Sequence, residues 1–192
     1  YLIAKLLWNP YADVDSLMDD FLRGYYGGAA PQIRRYIDIM HDALAASGEE
    51  LSIYGYPWPS RNGYLSPVMI HAYDSLFDEA EHAATNEPEH LFRVQTARLP
   101  LQFAFLEQAK MEATGARGCF IEREGGALRV RPEFQSLLDV FVERCKKAGI
   151  PALWERGTSP DEYYDSTKRF LDGSTAGHLA RSRRIVLAAP AS

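Results

Sequence analysis

SPVMIHAYDSLFDEAEHAATNEPEHL, residues 66–91, decides the fold. Ser66-Pro67 opens a helix, because proline at the first helical position gives up an N–H that has no partner there anyway. Ile70, Tyr73, Phe77, Ala80 and Ala84 then recur three or four residues apart and make one apolar face. Thr85-Asn86-Glu87-Pro88 is a turn followed by a new start. A second helix runs from about Glu89 to Met111, with Leu91, Val94, Leu101, Phe105 and Gln108 along it. So short a connection places the two helices side by side and antiparallel. Pro100 removes a backbone donor inside the second pattern, which predicts a kink there or two abutting helices.

The same grammar extends in both directions. Asp13 is a good N-cap for a helix carrying Leu17, Phe21, Leu22 and Tyr25, broken by Gly27-Gly28. Pro31 begins another, with Ile33, Tyr36, Ile37, Met40 and Leu44 at helical spacing and Ser47-Gly48 at its end. Downstream, Phe120–Val130 reads as a small hairpin around Gly125-Gly126 or as a loop. Pro132 opens a helix with Phe134, Leu138, Phe141 and Cys145, closed by Gly149. Ser159-Pro160-Asp161-Glu162 matches the capping box and starts a helix ending near Gly173. Beyond that the chain is small and polar, with one apolar patch at Ile185–Leu187. No repeat and no strand–helix alternation is present. The expected fold is all-α, an antiparallel multi-helix bundle of about six helices over 11–173, with a hairpin or loop near 119–130 and a tail over 174–192.

Bulk properties narrow the function classes. Of 192 residues, 46% are hydrophobic and 24% charged, enough for a packed core. The net charge of −5 argues against a nucleic-acid backbone as partner. Arg181-Ser182-Arg183-Arg184 is the one basic cluster and reads as a solvated tail. Cys119 and Cys145 lack metal-ligand spacing, Cys145 sits on an apolar helix face, and their pairing is left open. No apolar run has the length of a membrane span. Tyr1–Trp8 has neither the basic region nor the cleavage site of a signal peptide.

The chain opens on Tyr1-Leu2-Ile3-Ala4, without Met and already inside an apolar run, so a piece of a longer or processed protein is expected. Lys5-Leu6-Leu7-Trp8-Asn9-Pro10, then Asp13 through Phe21, then Gly24-Tyr25-Tyr26-Gly27 resemble a segment of bacterial glycoside-hydrolase-like proteins. These carry a domain of unknown function with a barrel related to α-glucuronidases and β-hexosaminidases. Leu65-Ser66-Pro67, Leu76-Phe77-Asp78-Glu79-Ala80-Glu81, Arg93-Val94-Gln95 and Ala97-Arg98-Leu99-Pro100-Leu101 extend the resemblance over roughly the first two-thirds of the chain. It implies that residues 1–10 end an upstream (β/α)8 barrel and that the rest is a C-terminal helical domain. Leu2, Leu6, Leu7 and Trp8 would then be the bridging surface. Barrel enzymes carry their catalytic groups at the C-terminal ends of the strands, and common glycosidases use two carboxylates. Both would lie upstream of Tyr1, so no catalytic residue is assigned here. A secreted or periplasmic location is implied only by the resemblance.

Among local features the aromatic loop 54–64 stands out. Tyr54, Tyr56, Trp58 and Tyr64 supply rings that stack on pyranoses, and Arg61 and Asn62 supply hydrogen bonds to hydroxyls or a sugar carboxylate. The plainer reading has these rings plug the bundle while prolines stiffen the connection. Glu79-x-x-His82 and Glu87-x-x-His90 have the spacing of di-iron bundles, but that site needs its motifs on different helices with two further glutamates. His71, Asp74, Asp78 and Glu81 trace a polar face that reads as solvated. Asp13, Asp15, Asp19 and Asp20 suit the positive end of a helix dipole and lack a calcium loop's glycine and glutamate. His41 and His178 have no local partner suggesting a triad. The expected function is a non-catalytic helical accessory domain of a glycoside hydrolase, without cofactor or metal. Its partner would be the upstream barrel, with homo-oligomers through the apolar flank. The alternative is a module that binds oligosaccharide through loop 54–64.

Overall fold

Asp13 shows how closely the local chemistry sets the elements. Its carboxylate accepts from the Ser16 N–H at 2.6 Å and starts a helix over Val14–Tyr26. Hydrogen bonds from Ser16 hold that carboxyl below the ordinary aspartate value. The computed structural model describes the backbone of residues 1–52, 55–154 and 157–187, and the side chains of these except for residues 125 and 176–187. The fold is all-α, a multi-helix bundle with one small hairpin. Its helices are α1 (Leu2–Trp8), α2 (Val14–Tyr26), α3 (Ala30–Ser47), α4 (Pro67–Ala83), α5 (Pro88–Glu112), α6 (Pro132–Lys147) and α7 (Pro160–Leu187). Strands β1 (Phe120–Glu122) and β2 (Leu128–Val130) pair antiparallel, with Phe120 opposite Val130.

The chain divides into two compact units, Tyr1–Leu101 and Gln102–Ser192, with the boundary inside α5. In the first unit α1 packs on α2, α2 on α3 and α3 on α4. Tyr73 and Phe77 of α4 are fully buried, and Tyr36 of α3 meets them with ring centroids at 5.4 and 4.8 Å. Gly27 turns the chain at φ +54°, and a Cβ there would lie 2.3 Å from the His90 ring, so only glycine fits. In the second unit Phe134, Leu138, Phe141 and Cys145 of α6 are buried as their spacing predicts. Phe103, Phe141 and Tyr163 pack on one another at centroid distances of 5.7–6.2 Å.

Two helices run on where the sequence offered a break. Helix α5 is one continuous helix across Pro100, which removes the alternative of two abutting helices. Between Leu101 and Ala109 it is buried on nearly every side, which explains why its sequence shows no single apolar face. Helix α7 does not stop near Gly173 but continues to Leu187. A lone glycine lowers helix propensity by about 1 kcal/mol and does not end a helix by itself. Good helix formers follow it, among them Ala176, Leu179, Ala180 and Arg181. The predicted basic cluster 181–184 and apolar patch 185–187 thus lie on helical backbone, their side chains outside the described residues.

Both cysteines are free thiols, fully buried. Burial pushes each up to about 11 from the ordinary 9.0. Folding therefore favours the protonated thiol, and the associated stability is complete below pH 9 and lost as pH rises through 11. A thiol reagent at pH 8 is expected to leave both unmodified in the native protein and to label both in denaturant. Rapid native labelling would contradict their burial.

The end of α5 carries an avoidable strain. Ala113 follows the helix at φ +56°, a left-handed conformation that a Cβ disfavours. Ala113→Gly is expected to raise stability by roughly 0.5–1 kcal/mol, seen as a higher urea midpoint.

Candidate functional site

Two surfaces of the first unit concentrate unusual chemistry, and α1 is the more exposed. No residue of this helix is buried. Leu2 and Leu6 are half-buried, while Leu7 is 82% and Trp8 91% exposed. Ile3 and Tyr11, which the sequence reading passed over, are also exposed. Ile3 and Leu7 lie four apart and so share a face, as Leu2 and Leu6 do on the side that is half-buried. Tyr1 holds the start of α1 to α2, through its ring on Phe21 at 5.5 Å and its hydroxyl on the Asp20 carboxylate.

The second surface is a cleft of about 460 Å³ at the C-terminal end of α3. Glu49, Glu50, Leu51 and Ser52 line one part, and Gly55, Tyr56, Pro57, Pro59, Ser60, Tyr64 and Leu65 the rest. A short 3-10 turn over Pro59–Asn62 shapes the loop. Gly63 N–H and Leu65 N–H both donate to the Ser60 carbonyl, at 3.0 and 3.2 Å. The Tyr73 hydroxyl donates to the Tyr64 carbonyl at 3.0 Å and ties the loop to α4. Burial raises the Tyr73 phenol to about 12, so it stays a donor at any ordinary pH.

The predicted sugar-contact residues divide. Tyr56 and Tyr64 line the cleft, with Tyr56 47% exposed. Trp58 and Arg61 pair with each other: the guanidinium lies 4.2 Å from the indole centroid and Nη1 donates to the Trp58 carbonyl at 3.1 Å. Asn62 is exposed on the turn. Tyr54 lies outside the described residues. Glu49 and Glu50 were missed, since charges just past a helix end read as solvated.

The remaining polar groups form ion clusters. Arg34 of α3 bonds Asp15 at 2.7 Å, Asp19 at 3.0 Å and Asp38 at 3.0 Å. The acidic run at the start of α2 thus answers a cation as well as a dipole. Arg98 of α5, its side chain 11% exposed, bonds Asp74 at 2.5 Å, Asp78 at 2.8 Å and Glu81 at 2.9 Å. The face expected to be solvated is therefore partly covered by an arginine. Burial works against the Arg98 charge, but the bonds to Asp74, Glu81 and Asp78 outweigh it and raise its pKa. Glu79 and His82 are exposed, and His90 Nδ1 lies 2.5 Å from Glu87 Oε2. Among the described residues no group of three or more His, Cys, Asp and Glu is placed to hold a metal ion. Among them, too, no helix is long and apolar enough to cross a membrane.

A family model described as "Domain of unknown function (DUF4838)" matches residues 1–38. That stretch holds α1 with its exposed surface, α2, and the first turns of α3 with Arg34. No curated protein and no solved structure matches the chain.

Proposed function

We propose that this chain is a non-catalytic helical accessory region of a glycoside-hydrolase-type enzyme, and that α1 packs against an upstream barrel domain. The observation that carries the reading is the α1 surface, where Leu7 and Trp8 stand almost fully in water. Contiguous exposed apolar side chains on a folded chain mark an interaction surface. Covering Ile3, Leu7 and Trp8 would contribute on the order of 5 kcal/mol, at about 1.5–3 kcal/mol per large side chain. The same helix lies within residues 1–38, which the DUF4838 family model matches. Residues 1–10 then act as the bridge, and the catalytic carboxylates belong to the barrel.

The reading predicts self-association. The chain is expected to sediment as a mixture of monomer and larger species, and Leu7→Ser/Trp8→Ser to shift it to monomer with little change in unfolding midpoint. Iodide should quench Trp8 in this chain and spare it when the barrel is joined ahead of Tyr1. Equal quenching in both forms would defeat the proposal.

A second reading, oligosaccharide contact through loop 54–64, has the exposure of Tyr56 beside a cleft in its favour. Titration with neutral and acidic oligosaccharides tests it, with Tyr56→Ala as the control. An accessory region of a secreted or periplasmic enzyme fits either reading.

A further inference from the structure

We propose that Arg93, Tyr25, Phe21 and Tyr1 form a clamp that holds α1 on α2, and that α1 docks and undocks as a unit under its control. The clamp residues thereby position the Ile3, Leu7 and Trp8 surface. Only this last step rests on the reading of α1 as a docking surface; the clamp itself does not.

Helix α1 is held by little area. None of its residues is buried, Tyr1 at its N-cap makes no side-chain capping bond, and its first turn carries no acid. Leu2 and Leu6 are half-buried. Tyr1 makes the directed contacts: its ring lies 5.5 Å from that of Phe21, its hydroxyl donates to the Asp20 carboxylate, and Lys5 Nζ lies 5.4 Å from its centroid. By contrast α4 buries Ile70, Tyr73, Leu76, Phe77 and Ala80. An element without buried side chains sits at the low end of local stabilities and opens without the rest of the fold.

The clamp continues past Phe21 to a fixed point on α5. Phe21 and Tyr25 are one turn apart on α2, and their rings stack at 5.3 Å with 16° between the planes. The Arg93 guanidinium carbon lies 4.4 Å from the Tyr25 centroid, and Nη1 donates to the Tyr25 carbonyl at 2.9 Å. Arg93 is itself paired with Glu89, one turn earlier on α5, and Tyr26 meets Tyr25 edge-on at 5.0 Å. Three neighbours thus fix Tyr25, although it is an exposed residue. Rings in contact constrain each other's rotamers, so freeing Tyr25 frees Phe21 and loosens the seat of Tyr1. An undocked α1 must redock before a partner can bind it, which lowers affinity by the docked fraction.

Hydrogen exchange of the whole chain tests the clamp at the helical amides of α1, from Lys5 N–H on the Tyr1 carbonyl to Asn9 N–H on that of Lys5. These amides are expected to be protected only about tenfold over an unstructured peptide, and those over 70–80 far more. Tyr25→Ala should remove about tenfold of the α1 protection and Arg93→Gln about threefold, while Arg35→Gln, an exposed charge on α3, should remove none. An Arg93 that only stabilised the bundle would speed the segments that exchange through global unfolding and leave α1 at the parental rate. A retained cooperative unfolding transition certifies each variant's fold. A tenfold loss from a tenfold preference cuts the docked fraction to about half, so a dimer needing α1 docked in both copies weakens about threefold. Sedimentation of Tyr25→Ala reads that loss with Ile3, Leu7 and Trp8 unaltered. The clamp is overturned if α1 is protected like 70–80, or if neither Tyr25→Ala nor Arg93→Gln changes its exchange. Faster exchange with unchanged self-association would overturn the positioning role. A parent chain that stays monomeric at every concentration counts against the accessory reading instead, and exchange alone then decides the clamp.

Discussion

Arg98→Ala is expected to lower the stability of the first unit by about 3 kcal/mol, among the larger losses available to any single polar residue. The guanidinium spreads its donors over Asp74, Asp78 and Glu81 at 2.5–2.9 Å while its own side chain is almost entirely covered. Its removal leaves Asp74 and Asp78, one helical turn apart, beside Glu81 with their shared cation gone. The loss is therefore larger than that of a surface pair, which is typically below about 1 kcal/mol. Urea unfolding measures it directly. Salt should shrink the deficit, because the exposed aspartates are screened once the arginine is gone. Asp78→Asn should be nearly silent alone and should recover part of the loss when combined with Arg98→Ala. A variant without arginine that unfolds at the parental midpoint would reduce the cluster to surface decoration. Arg98→Lys is expected to recover less than half, since an ammonium cannot serve three carboxylates in a plane.

What the sequence made legible was whatever depends on neighbours along the chain. Asp13 caps α2, the Ser159–Glu162 box closes with bonds of 2.8–3.3 Å, and Gly48 and Gly149 take left-handed conformations at helix ends. Ile70, Tyr73, Phe77 and Ala80 are buried because their spacing fixes a face before any partner is known. The hairpin appears around Gly125-Gly126, between strands that begin at Phe120 and Leu128. What stayed hidden depends on how one helix is rotated against another. Arg98 reads as an ordinary polar residue until α4 brings three acids to it. Arg34 shows only its Asp38 partner four residues on, and not Asp15 or Asp19. The loop was hardest, since aromatic composition cannot say which ring points where. Trp58 is engaged with Arg61, whereas Tyr56 faces a cleft whose acidic wall comes from the end of α3.

The second large effect concerns the core of the other unit. Glu107 is only 4% exposed, a burial that isolates a carboxylate unless its partners are good. It accepts the Tyr163 hydroxyl at 2.7 Å and pairs with Lys110, whose Nζ lies 4.6 Å from the Tyr163 ring centroid. Burial first, and then the Glu107 charge, raise the Tyr163 phenol far above the ordinary 10.0. The protonated phenol is thus favoured by folding, and that stability is present below pH 10 and lost above it. Tyr163→Phe keeps the ring among Phe103 and Phe141 and removes only the donor, so a loss of about 2 kcal/mol is expected. Tyr163→Ala also opens a cavity and should lose about 5 kcal/mol. The two losses have different remedies. Glu107→Gln on the Tyr163→Phe background removes the buried charge and should reduce the first deficit, while nothing at position 107 can refill the second. Additive losses in that cycle would mean that the hydroxyl and the carboxylate meet without supporting each other.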